Sequence, residues 1–274
     1  MSAEGVRVSP EWLLLREPAD AAARSAELAE RLGRHLVAAG HLVVHDLGGG
    51  SGAMGRWLAP RLPGPQHWVV HDLDTDLLKL AVADGPSPAA DGAAVTVEAR
   101  RSDITRLASA DLAGASLIVA SALLDMLTAD ELVGMLGACS GTGRRPILLA
   151  LTVRGRVSVI PTDPLDAHMA AAFNAHQRRS STAGRRLGPD AVAAAVDELR
   201  GTGGEVLVRP SPWRLDAAHA DLVAGWFDGW VAAACEKEPA LAAEAGAYRA
   251  RRMAQSAAGE LSVIVDHADL LVLP

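Results

Sequence analysis

Aromatic side chains are scarce in this chain, at 3% of its 274 residues. Six tryptophans, two phenylalanines and one tyrosine leave little with which to stack a flat ligand. Trp213 and Phe173 are the expected pocket walls, and core packing accounts for the other tryptophans. Lysine is nearly absent, only Lys79 and Lys237, while arginine and alanine abound; that bias reads as a GC-rich coding sequence rather than as chemistry. The two cysteines, Cys139 and Cys235, fall in separate helical patterns, which excludes a disulfide framework and a cysteine metal centre. No metal site is expected. No apolar run reaches the ~20 residues needed to cross a bilayer. Met1 to Pro10 carries no basic-then-apolar leader, so the expected location is the cytoplasm and no membrane partner is expected. The formal net charge of −7 disfavours a large polyanion such as nucleic acid as partner. The densest basic stretches are the pairs Arg100-Arg101, Arg144-Arg145, Arg178-Arg179 and Arg185-Arg186, read as solvated surface.

What is present centres on residues 44 to 55, Val-His-Asp-Leu-Gly-Gly-Gly-Ser-Gly-Ala-Met-Gly. An apolar run from His41 to Val44 feeds Asp46, then Gly48, Gly50 and Gly52 alternate before a helical pattern opens near Met54. A strand breaking into a glycine turn and a helix brings backbone N–H groups close to an anionic ligand group. Gly50 to Gly55 also satisfies G-x-G-x-x-G, so a dinucleotide stays open at this point. A ribose-binding carboxylate is expected roughly 20 residues further on. There His67 to His71 forms a strand candidate that ends in Asp72-Leu73-Asp74, with Asp74 and Asp76 set to cap the next helix.

Val95 to Ala99 is a third strand candidate, followed by Ser102-Asp103-Ile104. Ala115 to Ala120 is an uninterrupted apolar strand of the kind buried on both faces of a parallel sheet, and it runs into Ser121-Ala122-Leu123-Leu124-Asp125. The frame Asp46-x-Gly48-x-Gly50-x-Gly52, with these later segments in order, resembles the class I S-adenosylmethionine-dependent methyltransferases over residues 43 to 125. The resemblance implies a donor site in which Asp72, with Leu73 beside it, grips the ribose hydroxyls. It implies that Asp103 accepts the adenine amino group and Ile104 offers its backbone N–H. It also places Asp46, Gly48, Gly50, Gly52 and Ser121 around the cofactor, S-adenosyl-L-methionine, with S-adenosyl-L-homocysteine as product. The competing role for Asp103 is capping a turn. The flanks Arg16 to Asp20 and Phe173 to Arg178 are similar to those of a group of bacterial methyltransferases. Either Arg16 or Arg24 is available for the methionine carboxylate, and Arg16 is taken into the cofactor set.

The expected fold is α/β: a Rossmann-like, doubly wound, mostly parallel seven-stranded sheet with helices on both faces, an N-terminal helical segment and helical insertions. One methyltransferase domain spans 1–274. Residues 1–40 form a helical cap, with a helix start at Ser9-Pro10 and a second helix from Ala21 to Leu36, and 41–153 the cofactor core. Residues 154–190 are an insert set to cover the acceptor, with a helix from Ala167 to Arg178, and 191–274 supply the last strands and helices.

Methyl transfer by in-line displacement asks mainly for positioning in a dry pocket. A base is needed only where the acceptor must lose a proton; His176 and Asp125 are the candidates, against surface and capping roles respectively. The expected acceptor is a small molecule, in specialised metabolism. A tRNA or protein acceptor and a binding protein without transfer activity stay open, as does a homodimer. A nicotinamide oxidoreductase is disfavoured, because Tyr248 is followed four places on by Arg252 and no Tyr-x-x-x-Lys pair exists. Ser121 to Leu124 stands where amino-methylating DNA enzymes carry Asn-Pro-Pro-Tyr.

Overall fold

A computed structural model describes residues 8–37, 40–141 and 145–274. Met1 to Arg7 of the expected cap and Arg144 of one basic pair lie outside the described residues.

Two helices lead in, α1 (Pro10–Ala23) and α2 (Ala26–Leu36). The second helix, expected from Ala21, starts at Ala26, because α1 runs through Pro18 to Ala23 and is ended by Arg24, whose ψ of 140° is extended. Ser25 then caps α2 by accepting the Leu28 N–H. The chain turns at Arg24, and that turn delivers its side chain inward.

The central sheet holds β1 (Leu42–Leu47), β2 (Gln66–Asp72), β3 (Val95–Arg101), β4 (Leu117–Ser121) and β5 (Ile147–Ile160). Between them lie α3 (Ala53–Leu58), α4 (Thr75–Ala83) and α5 (Ala129–Ser140), and after β5 comes α6 (Asp166–Gln177). A small hairpin of β6 (Ser180–Ser181) and β7 (Gly184–Arg185) precedes α7 (Ala191–Arg200). The chain then forms β8 (Glu205–Pro210), β9 (Trp213–Leu215), α8 (Ala220–Lys237), α9 (Ala242–Ala257) and β10 (Ser262–Leu273).

The sheet order is β3-β2-β1-β4-β5-β10-β8, with β1 to β5 paired parallel and β10 antiparallel to both its neighbours. The short β9 adds an eighth strand to the seven expected. Leu28 and Leu32 of α2 with Met54 and Trp57 of α3 pack one face. Leu132 and Leu136 of α5 with Ala195 and Leu199 of α7 pack the other. The strand order reverses between β1 and β4, and crevices for ligands open at the carboxyl ends of strands beside such a point.

β5 is seven residues longer than its expected end at Val153. Its first half is buried on both faces, while its second half alternates because only β10 and the α6, α8 and α9 layer cover it. Leu151 adopts φ +54° there, and the register with β10 slips between Ala268 and Leu270. Asp269, set in that slip, accepts the Leu151 N–H at 2.8 Å and the Ser25 N–H at 2.7 Å. The last strand therefore holds the start of α2.

His45 of β1 and His71 of β2 form a buried pair, with Nδ1 of the first 2.9 Å from Nε2 of the second and His71 Nδ1 2.8 Å from Ser102 Oγ. Burial pushes both rings down to about 4, with the neighbouring ring and Arg100 adding to it for His45, and Arg100 for His71. The unfolded rings titrate near their ordinary value of about 6.5. Between those values the unfolded chain binds more protons, so the pair's contribution is complete above the upper value and is lost as pH falls. His45→Leu is expected to lose less melting temperature than the wild type between about pH 7 and about pH 5. Equal losses in both proteins, read by thermal denaturation, would remove the pair as a source of acid sensitivity.

Candidate functional site

The carboxyl ends of β1, β2, β4 and β5 open into a cavity of about 940 Å³. That lies near the upper end of the range of ~300–1,000 Å³ usual for small-molecule sites. Its floor is the glycine turn. Gly50 has φ +54° and donates its N–H to Asp72 Oδ2 at 2.9 Å. The Asp74 N–H binds Asp72 Oδ1, also at 2.9 Å, so two backbone groups hold that carboxylate at the lip of β2. Gly49 matters for a different reason: a Cβ there would stand 2.6 Å from Asp46 Oδ2 and 2.8 Å from Val70 Cγ1. The run of three glycines lets the turn fold back over the Asp46 carboxylate.

Asp46 is fully buried and lines the cavity, and neither carboxylate oxygen has a hydrogen-bond partner among the described residues. Burial raises it to about 7, helped by Asp72 and opposed by Arg24. Arg24 is its counterpart. The guanidinium is 5% exposed and lines the same cavity; Nη2 donates to Ser121 Oγ at 3.1 Å, while Nε and Nη1 have no partner among the described residues. Burial lowers its pKa against the pull of Asp20, Asp269 and Asp46. A buried cation and a buried anion thus face one cavity, each incompletely satisfied. Leaving such groups unpaired costs ~1–3 kcal/mol apiece, more when charged, and a ligand carrying both opposite charges removes that cost.

The expected cofactor residues divide. Asp46, Gly48, Gly50, Asp72, Leu73, Ile104, Ser121 and Arg16 line the cavity, and Gly52, at φ +83°, shapes the turn beneath it without lining it. Asp103 is not among the lining residues; it takes the capping role. Its Oδ1 accepts from the Thr105 N–H and hydroxyl at 3.1 and 2.7 Å, and its Oδ2 lies 3.4 Å from Arg106. A short carboxylate at the start of a turn satisfies the nearest free N–H groups first. Arg16 forms a bidentate pair with Asp20, at 2.9 and 3.1 Å, and rests 5.0 Å over the Trp213 ring. Its charge is already met, unlike that of Arg24.

His176 also departs from expectation. It does not line the cavity. Its Nε2 lies 3.2 Å from Glu236 and its Nδ1 3.2 Å from Arg179, so the ring tethers α6 to α8. On the same helix Phe173, Asn174 and Gln177 turn toward the cavity instead, Gln177 lying four residues from Phe173 and three from Asn174 and so on their side. Asp125 does line it, and burial raises its carboxyl to about 6 despite Arg16, Arg186 and Arg179 nearby.

His267 of β10 is a site residue the sequence reading passed over. It is 5% exposed, lines the cavity, and its Nδ1 has no partner among the described residues. The available signal was three polar residues, Asp266, His267 and Asp269, in an otherwise apolar run from Val263 to Leu273. Among the described residues no three of His, Cys, Asp or Glu are grouped to hold a metal ion. No described helix is long and apolar enough to cross a membrane.

No protein-family model matches the chain, and no curated protein matches it in sequence. Solved structures do match. A cyclopropane synthase from Mycobacterium tuberculosis aligns at TM-score 0.52 and 12% identity, over 97% of this chain and 95% of that one. A methyltransferase from Geobacter sulfurreducens in complex with S-adenosyl-L-homocysteine aligns at TM-score 0.45 and 16% identity, covering 97% and 98%. One from Thiobacillus denitrificans, also with S-adenosyl-L-homocysteine, aligns at 0.46 and 16%, covering 98% and 100%. With the observed strand order and the first of these likenesses, the fold is the Rossmann-like methyltransferase fold.

Proposed function

We propose that the protein is an S-adenosylmethionine-dependent methyltransferase acting on a small molecule. The observation that carries this is the pair of Arg24 and Asp46, buried groups of opposite charge that line one cavity beside the Asp72 lip with hydrogen-bonding atoms left unpartnered among the described residues. An α-amino acid group is the ligand chemistry that satisfies both. Arg24 would hold the carboxylate and Asp46 the ammonium; Asp72, fixed by two N–H groups, keeps lone pairs for ribose hydroxyls, and Leu73 and Ile104 would enclose the base. S-adenosylmethionine supplies a methyl group already activated on a sulfonium, so the chain's task is to exclude water and place the acceptor.

The segment 154–190 is the acceptor cover in this reading, since Gly155, Val157, Phe173, Asn174 and Gln177 all face the cavity. Enclosure by α1, β5 and α6, together with the acidic total charge, favours a small molecule over tRNA or a protein. Calorimetry is expected to give S-adenosyl-L-homocysteine a dissociation constant of about micromolar order and NAD no measurable heat. Binding of NAD with none of S-adenosyl-L-homocysteine would overturn the assignment.

A further inference from the structure

Past the charged pair, the wall of the cavity changes character. Four of the chain's few aromatic residues, Trp12, Phe173, Trp213 and Trp226, line it. In a chain so poor in rings this concentration contradicts the expectation that little is left for stacking a flat ligand. Val157 and Val265 fill the spaces between.

The two arginines at this end are already paired, Arg16 with Asp20 and Arg156 with Asp266 at 2.9 Å, while Asp125, its carboxyl raised by burial to about 6, also lines the cavity. Trp213 Nε1 donates to Asp20 and Asn174 Nδ2 to the Gly155 carbonyl. Two buried atoms stay without a partner among the described residues, His267 Nδ1 and Gln177 Oε1. His267 leans on Trp213 with ring centroids 5.4 Å apart, which sets its nitrogen beside the aromatic wall. Burial, with Arg16 adding to it, pushes the imidazole down to about 4 against Asp266 and the Val265 backbone, so the ring is neutral near pH 7. In a neutral ring that carries its proton on Nε2, Nδ1 accepts a hydrogen bond.

Resting on the methyl-transfer reading, we propose that the acceptor is a neutral aromatic alcohol, its ring against Trp12, Trp213, Trp226 and Phe173 and its hydroxyl donating to His267 Nδ1. Gln177 Oε1 receives a second donor on the same molecule. As the acceptor oxygen forms its bond to the methyl carbon, the carbon–sulfur bond breaks and its electron pair stays on sulfur. The hydroxyl proton passes to His267. The positive charge that leaves sulfur reappears on the imidazolium, so the enclosed site keeps its net charge.

The test uses the full chain, labelled with 15N in its histidines, saturated with S-adenosyl-L-homocysteine and titrated with phenol. Phenol is expected to bind and to move the His267 ring nitrogen resonances. His267→Leu should weaken phenol by about fivefold, the value of one neutral hydrogen bond, with S-adenosyl-L-homocysteine affinity unchanged. His267→Asn, which sets an amide oxygen near the position of Nδ1, should bind phenol within about twofold of wild type. Phenol that leaves those resonances still, or binds the leucine variant as it binds the wild type, overturns the proposal. Failure of the wild type to bind S-adenosyl-L-homocysteine overturns the donor assignment beneath it instead.

Discussion

Asp46→Asn is expected to bind S-adenosyl-L-homocysteine on the order of 100-fold more weakly than the wild type and yet to unfold at a higher temperature at neutral pH and above. The affinity loss follows from removing the charge that meets an ammonium in a dry site, an interaction worth ~2–5 kcal/mol. The stability gain follows from the same burial. The carboxyl rises from its ordinary value near 3.8 to about 7 in the folded chain. Above the lower value the unfolded chain ionises freely while the folded one resists, so the cost of Asp46 grows as pH rises and is complete above about pH 7. A shift of that size corresponds to about 4 kcal/mol. An unsatisfied amide and the lost attraction to Arg24 take back ~1–3 kcal/mol of it. The difference in melting temperature between variant and wild type should therefore be small near about pH 4 and widen to a few degrees by about pH 8. A gap that is constant with pH, or an affinity that is unchanged, would contradict the role given to this carboxylate.

Arg24→Met and Arg16→Met form the second, contrasting pair. Both arginines line the cavity and both come from the N-terminal helical segment, but only Arg24 has buried guanidinium nitrogens without a partner among the described residues. Its loss should weaken S-adenosyl-L-homocysteine by about 100-fold, as for a desolvated, charge-assisted contact. Arg16 spends its fork on Asp20 and its face on Trp213. Its loss should cost the same ligand less than about tenfold, through loosening of the α1 packing. The reverse order of affinities in calorimetry would return the carboxylate to Arg16.

The donor half of the site was legible in the sequence because its constraints are local. Asp46, the alternating glycines and Asp72 are fixed by the backbone of one strand–turn–helix unit and its neighbour, and spacing alone carries that information. The acceptor half is assembled over long range. His176 and Gln177 adjoin in sequence, yet α6 turns Gln177 to the cavity and His176 to Glu236, a choice set by packing on α8. His267 reaches the site because β10 pairs with β5, where it stands opposite Val153, a pairing that sequence spacing does not announce. Asp103 stands at its motif position, but its carboxylate caps the turn through Thr105 and is not among the residues lining the cavity. Arg24 was weighed beside Arg16; it lies eight positions on, at the turn that ends α1, a placement set by packing rather than by local pattern.

Asp269 makes the site a long-range construction. By gripping the Ser25 N–H, it ties the residue next to Arg24 to a strand 244 positions further along the chain. The glycine turn and the Asp72 lip are built by β1, β2 and their loops, whereas the turn that aims Arg24 is also fastened to β10, between β5 and β8. A chain clipped before β10 would carry the whole glycine motif and lack that fastening. In the proposed donor site, the hold on the carboxylate is thus a property of the closed sheet rather than of the motif.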